Sequence, residues 1–293
     1  MNISNPTGVI VPLVTPFTPA GDVDQLSLDR LVDWLVVAGV HGLVVNATTG
    51  ESPTLEWAEV ERITARLLSR VGGVCPILIG TGSANTAESV EKTRRARALG
   101  AAGALVVVPY YSRPAPAGVV AHYRAIAEIG LPVVAYNIPY RTGLNLDRDT
   151  LGAILNLPGV VGIKESSGGI ANTAALAGRS GKSMLCGDDA LFVASLAHGA
   201  AGGILATANL FPRELLAVHE AARADRFTEA RRIFGEILPL IELLYAEPNP
   251  SPLKWALQQR GLIDSAAVRL PLVPISDGLD QRLRAGLGIS ARA

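Results

Sequence analysis

The chain alternates short apolar runs with longer amphipathic segments eight times between residues 9 and 222. The apolar runs are continuous, which is typical of strands buried on both faces of a parallel sheet. We interpret them as strands at residues 9–14, 42–46, 76–80, 104–108, 132–137, 160–164, 183–187 and 202–206. Apolar residues at helical spacing predict helices at residues 27–38, 55–71, 88–99, 117–129, 147–155, 170–178, 190–198 and 213–222.

Eight successive strand–helix units predict an α/β fold, a parallel (β/α)8 or TIM barrel. An open doubly wound sheet is less consistent with the sequence, because no glycine-rich phosphate turn follows any of these strands. The remaining chain predicts further helices at residues 227–245, 252–260 and 275–287. No glycine- or serine-rich linker separates them from the barrel. We therefore expect a barrel at residues 1–225 that carries the active site, and a C-terminal helical region at residues 226–293 packed on it.

Charge and cysteine content exclude several classes of protein. The formal net charge is zero, so electrostatics give no reason to expect nucleic acid or an anionic membrane as a partner. Both cysteines, Cys75 and Cys186, lie in apolar runs, which predicts reduced core thiols. The sequence contains no metal-ligand spacing, and its N-terminus lacks the basic and apolar regions of a signal peptide. We expect a cytoplasmic protein that uses no metal.

One predicted strand, at residues 160–164, ends on a lysine and continues into polar and glycine residues. The chain has four lysines, and only Lys164 ends so apolar a run; the others are Lys92, Lys182 and Lys254. Burial disfavours the charged form of a lysine and so lowers its pKa. A neutral amine at physiological pH is the nucleophile that forms a Schiff base with a carbonyl substrate. The alternative for an isolated lysine is a side chain that extends to the surface from the end of a strand.

Polar groups also lie at the ends of other predicted strands. The second strand is followed by Thr48-Thr49-Gly50-Glu51-Ser52 and the fourth by Pro109-Tyr110-Tyr111. The fifth runs into Tyr136-Asn137-Ile138-Pro139 with Arg141-Thr142-Gly143, and the seventh ends in Gly187-Asp188-Asp189. In a (β/α)8 barrel these strand ends meet at one face, where catalytic groups lie. Hydroxyls and backbone amides in a glycine turn can hold a carboxylate. Tyrosines beside a lysine suit proton transfer to an imine, and an arginine in the next loop suits a substrate carboxylate.

These motifs, together with Gly162-Ile163-Lys164-Glu165 and Glu247-Pro248-Asn249-Pro250, resemble the dihydrodipicolinate synthase (4-hydroxy-tetrahydrodipicolinate synthase) family. That family belongs to the pyruvate-dependent class I aldolase (N-acetylneuraminate lyase) superfamily. The resemblance extends from Gly8 to about Leu287, with the motifs in the family's order. It implies a lyase of lysine and diaminopimelate biosynthesis that condenses pyruvate with L-aspartate 4-semialdehyde.

The resemblance also implies a role for each site residue. Lys164 would form the imine with pyruvate, whose carboxylate would rest on the turn of Thr48 and Thr49. Tyr136 would transfer protons, linked through Thr48 to Tyr111, which in the family reaches across a dimer interface. Arg141 would bind the carboxylate of the semialdehyde, while two further residues shape the pocket by their backbone: Gly187 and Ile204. No cofactor is implied beyond the covalent imine, and the assembly would be a homotetramer formed as a dimer of dimers.

Alternatives remain within and beyond this superfamily. Keto-deoxy-sugar-acid aldolases and N-acetylneuraminate lyases share the lysine and the tyrosine. Thr48 in place of a serine, and the position of Arg141, favour the semialdehyde, whereas Tyr140 is bulkier than the small residue expected there. A non-catalytic pyruvate-binding paralogue, or a barrel without a surviving site, would not need this set of residues.

The resemblance further implies a regulatory cleft in which many family members bind lysine. The corresponding positions here are Ser52, Pro53, Trp57, Val60, Ala84, Glu88 and Tyr110. Val60 stands where lysine-sensitive members place a histidine, and Ala84 where they place an asparagine. Because neither side chain can donate a hydrogen bond to a carboxylate, we expect a degraded cleft with weak or absent inhibition by lysine.

Overall fold

The computed structural model describes residues 3–289, in which eight parallel strands close into a barrel in sequence order. The strands are β1 (Gly8–Pro12), β2 (Gly42–Val45), β3 (Ile77–Gly80), β4 (Gly103–Val107), β5 (Val133–Asn137), β6 (Val160–Glu165), β7 (Ser183–Cys186) and β8 (Gly202–Ile204). Strand β8 pairs with β1, so that Ile10 lies opposite Ile204 and the sheet has no free edge.

Helices cover the outside of the barrel and continue beyond it. They are α1 (Gln25–Ala38), α2 (Trp57–Val71), α3 (Thr86–Leu99), α4 (Pro116–Ala127), α5 (Pro139–Thr142), α6 (Arg148–Leu155), α7 (Ala171–Leu176), α8 (Phe192–Ala197), α9 (Pro212–Arg223), α10 (Phe227–Leu244), α11 (Ser251–Gln259) and α12 (Asp277–Leu287). No helix in residues 3–289 is long and apolar enough to cross a membrane.

The fold confirms the predicted (β/α)8 barrel with C-terminal helices. Every predicted strand and helix is present, and each boundary lies within two residues of its expected position. The short helix α5 was not predicted, because four residues are too few to show a helical repeat. Strand β6 also continues one residue beyond Lys164, since Glu165 still pairs with Cys186 of β7.

The strands separate an inner core from an outer one. Side chains that point into the barrel form one apolar cluster: Ile10, Val44, Leu78, Leu105, Val134, Tyr136, Leu185 and Ile204 are among its members. Their neighbours in sequence point outwards and pack beneath the helices. Because side chains alternate along a strand, Gly162 and Lys164 of β6 face inwards while Ile163 faces the helices.

The C-terminal helices are part of the same outer core. Helix α10 buries Phe234, Ile237 and Ile241, which belong to one apolar cluster with the barrel helices. Helix α11 buries Leu253 and several neighbours on the same cluster. The segment between α10 and α11, which contains residues 245–250, is therefore held close to the barrel rim.

Candidate active site

Lys164 lies inside the barrel near the carboxyl end of β6. Only 5 % of its side chain is exposed, and its strand register places it directly beside Tyr136 of β5. The Lys164 Nζ is 4.2 Å from the centroid of the Tyr136 ring. Burial lowers the pKa of Lys164 to about 8, and the carboxylates of Asp189 and Asp188 limit that decrease. A useful fraction of this amine is thus neutral near physiological pH.

A glycine at position 187 leaves room for the Lys164 side chain. A Cβ atom at Gly187 would lie 2.7 Å from Lys164 Cε and 2.0 Å from Ser166 Oγ. Real Cβ atoms do not approach other atoms so closely, so any larger residue would displace the lysine. Gly187 also lines the small cavity that Lys164 lines.

Tyr136 is buried with its hydroxyl close to polar groups. Burial raises its pKa, while the hydroxyls of Ser166 and Thr48 and the charge of Arg141 lower it in part. The Ser166 hydroxyl is itself buried and has no partner with good hydrogen-bond geometry among the described residues. A neutral phenol in this position can donate a proton to, or accept one from, a group bound to Lys164.

Thr48, Thr49 and Gly50 form a single 3₁₀ turn directly after β2. The turn ends at Glu51, whose backbone is left-handed (φ 59°) and whose N–H donates to the Thr48 carbonyl at 3.0 Å. Asn249, from the segment between α10 and α11, donates from its Nδ2 to Thr49 Oγ1 at 3.1 Å. The turn is thus held from outside the barrel as well as by its own backbone.

Two adjoining cavities open at this end of the barrel. The larger, of about 490 Å³, extends from Tyr136 outwards to Glu88 and Tyr110. The smaller, of about 30 Å³, contains Lys164. Four residues line both cavities: Thr48, Tyr136, Ile138 and Arg141. The small cavity with Lys164 therefore adjoins a larger chamber that can hold a small substrate.

Arg141 is carried by helix α5, which begins at Pro139 and ends at the left-handed Gly143. Its guanidinium carbon is 5.0 Å from the centroid of the Tyr140 ring. Both side chains line the smaller cavity, although Tyr140 is otherwise largely exposed. The arginine thus presents a cation at the rim of the chamber, where it can meet an anionic substrate.

Two predicted site residues lie away from these cavities. Tyr111 is 94 % exposed, has a left-handed backbone (φ 68°) and lines neither cavity of its own chain. Ile204 is fully buried in the inner apolar cluster and also lines neither cavity. The structure therefore brings together Lys164, Tyr136, Thr48 and Arg141 but leaves Tyr111 pointing to solvent.

Some of the predicted regulatory positions line a cavity and others do not. Ser52, Pro53, Glu88 and Tyr110 line the larger cavity. Val60 is fully buried against the core, and Ala84 is exposed. The Trp57 ring lies beneath Lys92 and Arg95, whose charged ends are 5.8 and 5.5 Å from it.

Sequence reasoning assigned no role to several polar residues around the lysine. The buried carboxylate of Asp189 accepts hydrogen bonds from Tyr245 Oη at 2.9 Å and from Thr207 N and Oγ1 at 2.7 and 2.6 Å. Asp188 Oδ2 accepts one from Gly168 N at 2.9 Å. The two aspartates were noted only as part of the motif after the seventh strand, and nothing in the sequence indicates Tyr245, which lies 56 residues from Asp189.

Titratable groups in the described part of the chain do not form a metal site. Within residues 3–289, no group of three or more His, Cys, Asp and Glu side chains could hold a metal ion. Cys75 and Cys186 are free and buried, as predicted, and burial raises the pKa of both thiols.

A buried lysine inside a (β/α)8 barrel and against a buried tyrosine is the arrangement that a class I, Schiff-base-forming aldolase or lyase requires. The dihydrodipicolinate synthetase family model matches residues 5–289. The chain belongs to this family.

Several known proteins match this chain over almost its whole length. The 4-hydroxy-tetrahydrodipicolinate synthase of Sorangium cellulosum is 44 % identical over 282 residues, covering 94 % of this chain and 93 % of that protein. Among solved structures, the chloride-inhibited dihydrodipicolinate synthase of Acinetobacter baumannii, complexed with pyruvate, is 38 % identical with a TM-score of 0.93, covering 96 % of this chain and 98 % of that one. A monomeric dihydrodipicolinate synthase variant is 35 % identical with the same TM-score, covering 96 % of each chain.

Proposed function

We propose that this protein condenses pyruvate with L-aspartate 4-semialdehyde to form 4-hydroxy-tetrahydrodipicolinate, a step of lysine and diaminopimelate biosynthesis. The observation that carries the proposal is the buried Lys164 amine above the Tyr136 ring. The names of the curated relatives, which match over nearly the full chain, support the same activity.

The reaction begins at Lys164. Its neutral amine attacks the keto carbon of pyruvate, water leaves, and uptake of one proton from solvent gives a protonated imine. Loss of a proton from the pyruvate methyl group gives an enamine, for which the protonated imine is the electron sink. Tyr136 is placed to relay these protons, since its hydroxyl lies near Thr48 and Ser166. No metal or organic cofactor is needed for these steps.

The enamine carbon then adds to the aldehyde carbon of the second substrate, which becomes a hydroxyl-bearing carbon. The amino group of the adduct attacks the imine carbon and displaces the Lys164 amine as the ring closes. We assign the carboxylate of pyruvate to the Thr48–Thr49 turn and the carboxylate of the semialdehyde to Arg141. The Thr48–Thr49 turn and Arg141 both line the small cavity that Lys164 also lines.

A second candidate is another aldolase or lyase of the same superfamily that takes a sugar-derived aldehyde. One observation favours it: the chamber beyond Tyr136 measures about 490 Å³. The first step would be unchanged, because Lys164 and Tyr136 act on pyruvate alone. The identity of the acceptor aldehyde therefore separates the two candidates.

Product identification tests the proposal directly. Pyruvate supplied with aspartate semialdehyde should give the cyclic product, and pyruvate with sugar aldehydes should give little. Borohydride added with pyruvate should attach one pyruvyl group, which peptide mapping places on Lys164. Attachment to Lys92, Lys182 or Lys254 would contradict the mechanism, and turnover of sugar aldehydes alone would favour the second candidate.

We further propose that Tyr111 completes the site of a neighbouring subunit, in a homotetramer made of two such dimers. Its exposure and its left-handed backbone support this, because uncommon backbone conformations of non-glycine residues cluster at functional sites.

A further inference from the structure

A second buried lysine, Lys254 of helix α11, forms an ion pair with Glu51. The Lys254 Nζ is 2.6 Å from Glu51 Oε1, and neither side chain is exposed to solvent. The ammonium also donates to the Ala267 carbonyl at 2.6 Å and lies 4.1 Å from the centroid of the Phe17 ring. The second Glu51 oxygen accepts from the backbone N–H of Arg269 at 2.9 Å.

This pair joins the C-terminal region to the catalytic turn. Glu51 is the residue that ends the Thr48–Gly50 turn, and its N–H holds the Thr48 carbonyl. Its backbone is left-handed, a conformation that a glutamate rarely adopts without support from its surroundings. Anchoring the Glu51 carboxylate fixes that conformation, and with it the direction in which the Thr48 and Thr49 hydroxyls point.

A second contact from the same C-terminal region reaches Thr49, within the turn. Asn249 donates to the Thr49 hydroxyl oxygen at 3.1 Å. That bond determines where the Thr49 hydroxyl hydrogen can point, because one of its oxygen lone pairs is already occupied. Asn249 lies five residues before Lys254, so the two contacts reach the turn from one short stretch of chain.

Stability alone is a poor explanation for the pair. Burying a lysine and a glutamate removes both from water, and an apolar pair of similar volume stabilises a protein as well or better. A buried ion pair does, however, hold one geometry, since any displacement leaves both charges without a partner.

We propose that Lys254 and Asn249 are positioning residues that orient the Thr48–Thr49 turn for the carboxylate of pyruvate. The inference rests on the proposed function and assigns to the C-terminal helical region a part in substrate binding. Lys254 lines neither cavity and so acts through the turn, whereas Asn249 lines the small cavity and also holds the Thr49 hydroxyl. Their loss should weaken pyruvate binding while leaving the chemistry at Lys164 intact.

The test measures how borohydride trapping at Lys164 depends on pyruvate concentration. Lys254→Met should raise the half-saturating concentration of pyruvate by about tenfold or more, since a small misplacement of a binding group costs at least that much. Asn249→Ala should raise it less and, because no buried charge is left unpaired, should not impair folding. Lys182→Met is a matched control, as Lys182 also donates to backbone carbonyls, those of Leu155 and Leu157, but lies before β7 at the other end of the barrel.

The double variant Glu51→Gln/Lys254→Met separates positioning from stability. Removing both charges should recover much of the melting temperature lost in Lys254→Met, because no unpaired charge stays buried. Under the proposal, the raised requirement for pyruvate persists in the double variant. Recovery of pyruvate affinity together with stability, or an unchanged affinity in Asn249→Ala and Lys254→Met, would overturn the inference. Absence of trapping in the unmodified protein would instead contradict the proposed function.

Discussion

At the scale of single residues, the charge around Lys164 determines when its amine is nucleophilic. Its pKa of about 8 means that roughly a tenth of the amine is neutral at pH 7. Asp189 and Asp188 both raise this pKa towards its ordinary value, so removing either charge should lower it. The choice between the two aspartates follows from their hydrogen bonds.

Both oxygens of Asp189 accept hydrogen bonds, from Ala206 and Tyr245 at Oδ1 and from Thr207 at Oδ2. An asparagine there would turn its amide hydrogens towards existing donors. The Asp188 carboxylate, in the described part of the chain, is held by the Gly168 N–H alone, and asparagine can keep that bond. Asp188→Asn is therefore the cleaner substitution.

We expect Asp188→Asn to lower the pKa of Lys164 below about 8. Trapping at low pyruvate concentration rises with pH as the amine loses its proton, so the midpoint of that rise should move to lower pH in the variant. At pH 7 the variant should form the imine faster than the unmodified protein. The measurement is the trapping rate from pH 6 to 9. A midpoint that stays in place or moves upwards would show that Asp188 does not act on the lysine.

Arg141 gives the second prediction at this scale. Arg141→Ala should reduce kcat/KM for aspartate semialdehyde. The loss of transition-state stabilisation should be about 1 to 3 kcal/mol, because a charge-assisted hydrogen bond to the substrate carboxylate is lost. We place the effect in this range because the side chain lies at an exposed rim. Arg141→Lys should recover only part of the activity, since an ammonium cannot make the paired contact.

Trapping of pyruvate should survive in Arg141→Ala, and Arg148→Ala, an exposed arginine at the start of α6, is the matched control. If pyruvate affinity fell while the kinetics with the semialdehyde stayed unchanged, Arg141 would belong to the pyruvate site.

The sequence predicted the residues that lie on the strands better than those that come from far along the chain. Lys164 and Tyr136 were identifiable because each lies on or beside an apolar run whose strand identity is plain. Glu51 was seen only as part of a motif, and its partner Lys254 is 203 residues away. Lys254 also lies between Leu253 and Trp255 in α11, where a lysine that extends to solvent is the usual expectation. Pairings of this kind depend on tertiary structure.

At the scale of elements, the alternation of runs was enough to predict the barrel. Continuous apolar runs of five or six residues indicate buried strands when amphipathic helices separate them. The boundaries differ from the prediction by up to two residues, because the last hydrogen bonds of a strand depend on its neighbour's register. Helix α5, which carries Arg141, could not be predicted from periodicity.

The predicted regulatory cleft, which the family resemblance places between subunits near helices α2 and α3, provides a prediction at this scale. Glu88 of α3 forms an ion pair with Lys92 one turn later, at 2.6 Å, and accepts from Ser83 Oγ at 2.6 Å. Lys92 Nζ also lies 5.8 Å from the Trp57 ring centroid. The carboxylate that would attract a ligand's ammonium is thus already paired with a cation of the chain itself.

Two further groups that a bound carboxylate would need are also missing or occupied. Val60 points into the core and offers no donor. The side chain of Asn85 caps α3, accepting from Ala87 N at 2.9 Å, and so does not replace the amide absent at Ala84. Each lost contact to a bound carboxylate weakens binding by about 1 to 3 kcal/mol.

We therefore expect lysine to inhibit weakly or not at all up to millimolar concentration. A steady-state titration with lysine, with sodium chloride at equal ionic strength as the control, measures this. Lys92→Met should make the enzyme more sensitive, since it frees the Glu88 carboxylate. Near-complete inhibition of the unmodified enzyme by sub-millimolar lysine would show that the cleft is functional.

At the scale of the whole molecule, the position of Tyr111 concerns assembly. The residue follows β4 at the active-site end of the barrel, yet its side chain is turned outwards. If it completes a neighbouring site, no single subunit has a full set of catalytic groups, and the working unit is at least a dimer. Sedimentation should then find a dimer or tetramer, and a fully active monomer would contradict the proposal.

Mixing two inactive variants tests whether the tyrosine acts between subunits. Lys164→Ala lacks the nucleophile, and Tyr111→Phe lacks the hydroxyl, so each should be nearly inactive alone. In a mixed dimer, one site combines Lys164 from one chain with Tyr111 from the other, while the second site lacks both. Random mixing of subunits at equal amounts makes half of the dimers mixed, so activity should return to about a quarter of the unmodified level. If Tyr111 acts within its own chain, every site in every mixture lacks one of the two groups, and co-refolding restores nothing.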